Sequence, residues 1–471
     1  MTSIPNRPSD PSDHLVGHTL SLCPVCLARI DAVRREIDGV VWLQKHCPEH
    51  GDFSTPVWRG RPSWGEWQRP KQPATPVADR PLPDKGCPFD CGLCRNHRQR
   101  SCTVIIDVTQ RCNLVCPVCF ARSNPAGPDD PGLDELERRF ASVAQISPGS
   151  NIQLSGGEPT LRDDLPHIVA MGRRAGFGFI QLNTNGIRLA RDEVFLKRLA
   201  DAGLDSVFLQ FDGTRDAIYR QLRGRALLDE KLATIDACAA LNLGVVLVAT
   251  VVPGINDGDL GAILKLGVEK TPAVRGVHFQ PISYFGRFPE PPELKDRITL
   301  PELMRAIEIQ TDGAFPVKQF SPPGCENAMC SFSSKFMVQP DLSVRPLLPV
   351  WQGCCGTPET FEEGARRSIS QTARQWSGVP RDHLAMESEA DSVPAVATPV
   401  GKDNVMDLDQ FLRQVRTRTL AVSAMAFQDA WTLDLERVQE CCIHVADEKG
   451  RLIPFCLYNL TSISGKGLYR P

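Results

Sequence analysis

Residues 87–119 carry the spacing C-x3-C-x2-C twice, first as Cys87, Cys91 and Cys94, then as Cys112, Cys116 and Cys119. Thiolates this close on a loop converge on one metal centre. Three of them on a [4Fe-4S] cube leave one iron without a protein ligand, and a small molecule bearing an amine and a carboxylate chelates such an iron. The stretch SGGEP at 155–159 suits that partner. Gly156 and Gly157 let the backbone approach a ligand closely, and the carboxylate of Glu158 suits an ammonium. Two further groups of ligands stand apart from these. Cys23, Cys26, Cys47 and His50 make a C-x2-C and C-x2-H pair, the layout of a four-ligand site for zinc or a single iron. Cys325 and Cys330 bracket a turn in the last third, where Cys354, Cys355, Cys441, Cys442 and Cys456 add enough thiols for one more cluster. Cys238, in the helical stretch LATIDACAALN, reads as core.

The chain has 18 cysteines, and its start, MTSIPNRPSDPSDH, lacks the basic-then-apolar layout of a signal peptide. The expected compartment is the cytoplasm, where thiols stay reduced, so metal ligation is expected rather than a disulfide framework. The longest apolar run, 243–252, is too short to span a bilayer, which leaves peripheral membrane contact open. A net charge of −3 offers no basic excess for nucleic acid.

The elements that must position these residues follow from periodicity. Apolar runs at 103–108, 151–155, 178–183, 206–211, 245–252 and 276–282 read as strands of a buried parallel sheet. Helical patterns separate them, as at 133–146, where Leu133, Leu136, Phe140 and Val143 share one face. This is an α/β fold, a partial barrel of six strand–helix units. Cys112 lies just past the first strand, where parallel α/β folds place their chemistry. Cys87 lies in a Pro-rich approach to the domain. The second copy of the motif is therefore the catalytic expectation. The expected divisions are a zinc-ribbon or rubredoxin-like knuckle over 1–68 and a linker with the first cysteine triplet over 69–100. The core spans 101–297, and a cysteine-rich auxiliary domain spans 298–471. A turn at Asp38-Gly39 and a helix capped by Thr299 and Glu302 are further local expectations. The loop 284–297 is the expected lid.

The combination of strand, CxxxCxxC, strand and GGEP resembles the radical S-adenosylmethionine (radical SAM) superfamily. That resemblance implies that Cys112, Cys116 and Cys119 hold a [4Fe-4S] cluster. It implies that SAM binds its open iron and that Gly156, Gly157 and Glu158 hold the SAM amino group. It further implies that Gln210 and Asp212 read the SAM ribose, and that Thr250 and Gln280 contact SAM or substrate. The reaction implied is reductive cleavage of SAM to a 5′-deoxyadenosyl radical that abstracts hydrogen from an unactivated carbon. The first triplet reads as an auxiliary [4Fe-4S] site or structural zinc, with Cys102 or a substrate atom as a fourth ligand. Across nearly the whole chain, KHCPEHG, CPFDCGLCRNHRQ, IDVTQRCNLVCPVCFA and IPFCLYNLT resemble one branch of the superfamily. That branch includes tetraether lipid synthase and an enzyme described as a dihydropterin methylase, with bacterial relatives paired with a methyltransferase. It implies carbon–carbon bond formation or methylation on a lipid or pterin-like substrate, with a flavodoxin- or ferredoxin-type electron donor. A peptide-modifying maturase and a non-catalytic iron–sulfur electron carrier are the alternatives.

Overall fold

The computed structural model describes residues 13–69, 84–347, 360–379 and 408–470. Cys354 and Cys355 fall outside them, as does most of the Pro-rich linker.

The N-terminal strands β1 (Asp13–Leu22), β2 (Arg29–Ile37), β3 (Val40–Cys47) and β4 (Gly51–Arg59) form an antiparallel sheet in that order. The Asp38-Gly39 turn joins β2 to β3 with φ of 51° and 75°, the left-handed pair that a two-residue hairpin needs. Its two loops carry Cys23 and Cys26 on one side and His50 on the other. This small sheet is fastened to the rest of the chain. Trp58, 1% exposed, packs at 5.8 Å and 6.2 Å against Trp64 and Trp67 within the main core. Buried Lys45 donates to the carbonyls of Leu22 at 2.8 Å and Ala430 at 2.7 Å.

Six parallel strands follow: β5 (Thr103–Thr109), β6 (Asn151–Gly156), β7 (Ile180–Thr184), β8 (Ser206–Gln210), β9 (Gly244–Val251) and β10 (Val274–Pro281). Their bounds differ from the sequence expectation by a residue or two, as strand ends usually do. Both faces of these strands are covered, hence the near-continuous Val, Ile and Leu. The helix Leu133–Ile146 buries Leu136, Phe140 and Val143 as its period requires. The capping box of Thr299 and Glu302 starts the helix Leu300–Gln310.

The last third does not keep its strands to itself. β13 (Thr419–Met425) pairs parallel with β10, and β14 (Ile443–Ala446) pairs parallel with β5. β11 (Ser331–Val338) and β12 (Val344–Pro346) extend one edge antiparallel, and β15 (Leu452–Pro454) extends the other. The sheet has 11 strands and crosses the boundary expected at 297. These pairings join residues far apart in sequence, which local patterning does not reveal. The helix Phe361–Trp376 lies against the sheet, with Trp376 at 5.6 Å from Phe208 and 6.4 Å from His278. A Cβ on Gly244 would stand 2.1 Å from the Trp376 carbonyl, so this approach requires glycine. Among the described residues, no helix is long and apolar enough to cross a membrane.

Candidate active site and metal centres

One cavity of about 660 Å³ opens at the carboxyl ends of the parallel strands and continues along their inner faces. Cys112, Cys116 and Cys119 line it together with Gly156, Gly157 and Glu158. The two motifs are laced by backbone bonds, Gly157 N–H to Thr109 O at 2.8 Å and Glu158 N–H to Arg111 O at 2.8 Å. A Cβ on Gly156 would stand 2.0 Å from the Thr109 carbonyl, and one on Gly157 would stand 2.1 Å from the Arg111 carbonyl. Neither contact involves a side chain that could move aside, so both glycines are needed for the approach.

The cysteine loop is also held from the other side. Arg287 Nε donates to Cys116 O at 2.9 Å, and Cys119 and Arg287 exchange two backbone bonds of 2.9 Å. Arg297 pairs with buried Asp429 at 2.9 Å, and Tyr284 and Phe285 are buried. The loop 284–297 is thus a clamp on the cysteine loop rather than the expected lid, because its arginines and aromatic rings anchor it. Leu114, Ile187, Tyr219 and Leu227 make an apolar surround for Cys116. Burial pushes the Cys112 thiol up to about 12.

The other expected ligand contacts divide. Gln210, Thr250 and Gln280 line the cavity. Asp212 does not: it is fully buried, and its carboxylate is taken by Arg223 in two bonds of 2.7 Å and by the Thr250 N–H at 3.2 Å. Gln210 also donates to it. The expectation that Asp212 reads a ribose is corrected by these partners, which turn it into the anchor of Arg223. Arg223 faces Cys116 and lines the cavity in its place, and no sequence signal singled it out. Beneath Gln210 lies fully buried Lys231, which donates to Gln210 Oε1 at 3.0 Å and to Asn185 O; burial lowers its pKa to about 7. Glu158 is likewise occupied. Its carboxylate accepts from Thr160 N, Thr160 Oγ1, Thr184 Oγ1 and Asn185 N, all at 2.7–3.1 Å. The carboxylate therefore ties GGEP to the end of β7, leaving the backbone carbonyls of the turn as the freer acceptors.

Deeper in the cavity the wall is mixed. Gln153 donates to Gln181 at 2.7 Å, and among the described residues the buried Asn183 Oδ1 has no hydrogen-bond partner. His278 Nδ1 lies 2.8 Å from Ser423 Oγ, and its ring stacks against Phe208 at 5.5 Å. Burial lowers the His278 pKa to about 4, below the usual imidazole value of about 6.5. The unfolded chain then takes up the proton first, so this group's contribution is present above about 6.5 and is lost as pH falls toward 4. Between pH 7 and pH 5 the loss amounts to about 2 kcal/mol. His278→Gln is expected to remove that increment, read as urea unfolding free energies that differ less between the two pH values than in the parent. An unchanged acid dependence would contradict the assignment.

The first cysteine triplet lies elsewhere. Cys87, Cys91 and Cys94 line a separate small cavity with His97 and Gln439. Tyr469 accepts from the Cys91 N–H at 3.0 Å and donates to Pro88 O at 2.6 Å. At the N-terminal sheet, the ligand atoms of Cys23, Cys26, Cys47 and His50 all lie within 4.8 Å of one another. Measured pairs are 3.4 Å for Cys47–His50, 3.7 Å for Cys23–His50 and 4.0 Å for Cys26–Cys47. A tetrahedral zinc with bonds of about 2.0–2.3 Å sets its ligands roughly 3.6–3.8 Å apart, so the residues present fit one ion. The hydrogen bond from His50 draws the Cys47 thiol down to about 6.

Cys325 and Cys330 do not share a site. Cys325 meets Cys102 and Cys442 within 4.8 Å, and Cys102 and Cys325 are joined as a disulfide. Cys330 turns to Arg437, whose Nη2 donates to its sulfur at 3.3 Å, with the buried thiols of Cys441 and Cys456 nearby. The short helix Ala328–Cys330 lies between them. Cys102 is thereby removed from the Cys87 group, where it was expected as a possible fourth ligand. Cys238 is fully buried, as expected. Among the described residues, Cys112, Cys116 and Cys119 are not at single-ion spacing. A cube holds its thiolates farther apart than one ion does, so this donor set fits a cluster.

The description "Radical SAM superfamily" matches residues 106–267, and "HMPTM N-terminal zinc ribbon domain" matches residues 15–59. The chain belongs to the radical SAM superfamily, and it is an enzyme of that kind, with an N-terminal zinc ribbon, a [4Fe-4S] cluster and SAM as cofactors. It is 34% identical to a 7,8-dihydro-6-hydroxymethylpterin dimethyltransferase of Methanocaldococcus jannaschii, over 94% of this chain and 93% of the relative. A GTP 3′,8-cyclase of Paenarthrobacter nicotinovorans is 31% identical over 41% of this chain and 54% of its own length. Among solved structures, SuiB of Streptococcus suis bound to precursor peptide SuiA matches 46% of this chain and 47% of that chain, at 16% identity and a TM-score of 0.38.

Proposed function

We propose that this enzyme alkylates an unactivated carbon of a small polar molecule, with methylation of a pterin-like heterocycle as the particular reaction. The observation that carries the reading is the cavity itself. It joins the Cys112 loop and GGEP to a wall of amides, in which Asn183 Oδ1 is buried without a donor among the described residues. A buried acceptor left unpaired is a cost that a ligand N–H or O–H removes, and the edge of a pterin is made of such groups. The relative's name supports the same chemistry.

Cys112, Cys116 and Cys119 would hold the cluster, which would supply the electron that cleaves bound SAM to methionine and a 5′-deoxyadenosyl radical able to take hydrogen from carbon. The chain's own residues do the rest. The carbonyls of Gly156 and Gly157 accept the SAM ammonium. Arg223, fixed by Asp212, offers its remaining N–H edge to the SAM carboxylate. Gln210, Thr250 and Gln280 face the nucleoside, and the apolar surround of Cys116 keeps water from the reacting groups. Cys23, Cys26, Cys47 and His50 would hold zinc. Cys87, Cys91 and Cys94 would hold an auxiliary cluster. The cysteine groups around Cys325 and Cys330 suit further metal. Reduction of the Cys102–Cys325 disulfide in a reducing cytoplasm would free both sulfurs beside Cys442 for ligation. A flavodoxin- or ferredoxin-type reductant and a partner methyltransferase complete the reading.

Anaerobically reconstituted enzyme, given reductant, a dihydropterin and SAM as both radical precursor and methyl donor, is expected to form 5′-deoxyadenosine, S-adenosylhomocysteine and a pterin heavier by one or two methylene masses. Alkylation of an acyl lipid instead, with the pterin returned unchanged, would replace this substrate assignment. A Gly157→Ala variant is expected to bind SAM at least tenfold more weakly while keeping its fold, read by equilibrium dialysis and circular dichroism. Unaltered SAM affinity would refute the close approach as the reason for that glycine.

A further inference from the structure

Behind the SAM-facing residues stands a buried cation, Lys231, in the first turn of the helix Leu228–Ala240. Its ammonium donates to two neutral oxygens, Asn185 O and Gln210 Oε1, the latter at 3.0 Å, and the Tyr219 ring lies 5.7 Å away. Among the described residues it makes no ion pair. The carboxylates of Asp212 and Glu158 act on it only through space, and Arg223 opposes them. Both carboxylates are bonded elsewhere, Asp212 to Arg223 and Glu158 to Thr160, Thr184 and Asn185. A buried ammonium held by neutral oxygens is a standing cost to the fold, which an apolar side chain would spare.

Its partners show what that cost secures. An ammonium only donates and a carboxylate only accepts, so Lys231 and Asp212 together fix which way the Gln210 amide faces. Gln210 Oε1 is turned to Lys231, and Gln210 Nε2 donates to Asp212. The amide keeps one N–H and one lone pair, and Gln210 lines the cavity. The second partner, Asn185, follows the end of β7. Its backbone N–H donates to Glu158 Oε2 at 2.7 Å, and its Nδ2 donates at 2.7 Å to Oδ1 of Asn113, the residue after Cys112. One ammonium thus braces both Gln210 and the joint between GGEP and the cysteine loop.

We infer that Lys231 is a positioning residue for SAM: it locks the Gln210 amide in one orientation, so that the edge facing the nucleoside is in place before SAM arrives. The inference rests on the reading of Gln210 as a group that faces the SAM nucleoside. A free glutamine side chain loses rotamer freedom when it grips a ligand, whereas one already fixed does not. Lys231 itself does not line the cavity, so it acts through the amide in front of it.

The test uses full-chain reconstituted enzyme without reductant, so that SAM is not cleaved, and reads SAM affinity by equilibrium dialysis. Lys231→Met should weaken SAM at least fivefold, and so should Gln210→Leu. The double variant should bind no more weakly than Gln210→Leu alone, because the lysine acts through that amide. Added reductant gives a second reading: in Lys231→Met the loss should appear in KM for SAM rather than in kcat for 5′-deoxyadenosine formation. Circular dichroism confirms folding. If Lys231→Met does not fold, Lys231→Gln, which keeps an N–H donor without the charge, takes its place in the same cycle. Additive losses in the double variant, or a fall in kcat with KM unchanged, overturn the role of Lys231. So does unaltered SAM affinity in the lysine variant while Gln210→Leu weakens it. Unaltered affinity in Gln210→Leu overturns the reading of Gln210 and the inference with it. Failure of the parent to form 5′-deoxyadenosine would count against the proposed function, while the dialysis would still decide the part played by Lys231.

Discussion

Cys112→Ala is expected to abolish SAM cleavage, by at least a thousandfold, and to remove one cluster's worth of iron, whereas Cys87→Ala should lose iron yet still cleave SAM. The reasoning is spatial. Cys112, Cys116 and Cys119 share a cavity with Gly156, Gly157 and the ends of β8, β9 and β10, while Cys87, Cys91 and Cys94 line a separate one. A cluster with only two thiolates loses its site, and the other described cysteines of the cavity, Cys102, Cys325 and Cys442, group with one another rather than with the Cys112 loop. Iron counted per chain and 5′-deoxyadenosine by chromatography read both variants. Cleavage that survives in Cys112→Ala and vanishes in Cys87→Ala would exchange the roles of the two triplets.

Arg223→Met is the second large effect, and it acts on stability as well as on SAM. The Asp212 carboxylate is fully buried and receives two bonds of 2.7 Å from Arg223. Removing the arginine leaves that charge with Gln210 and one backbone N–H, and breaking a buried pair from one side costs about 3–5 kcal/mol. Adding Asp212→Asn neutralises the stranded charge, so the double variant should recover most of the loss. Affinity for SAM should fall in the single variant and remain low in the double, because the N–H edge beside Cys116 is gone from both. Urea unfolding and SAM binding on the three proteins separate the two roles. A single variant as stable as the parent would contradict a stabilising role for the Arg223–Asp212 pair.

What could be read without the structure is what is encoded within a few residues. The Val- and Ile-rich runs announce doubly covered strands because burial on both faces leaves no room for polar alternation. The Asp38-Gly39 turn and the Thr299–Glu302 cap are contacts between near neighbours, and both form where expected. The cysteine triplets declare themselves because a loop of eight residues brings its own thiols together. Pairings between distant segments were closed to this reading. Cys102 and Cys325 are 223 residues apart, and it is the joining of β14 to β5 and of β13 to β10 that brings the last third against the first. The same long-range pairing sets Cys325 beside Cys102 and Cys442, whereas Asp212 is taken by Arg223 only 11 residues further on, a contact that no motif announces. The local sequence determined which elements form and which loops bear thiols. The tertiary structure alone decided which of those thiols and charges meet, since strand neighbours are chosen by the burial of a whole sheet rather than by any one segment.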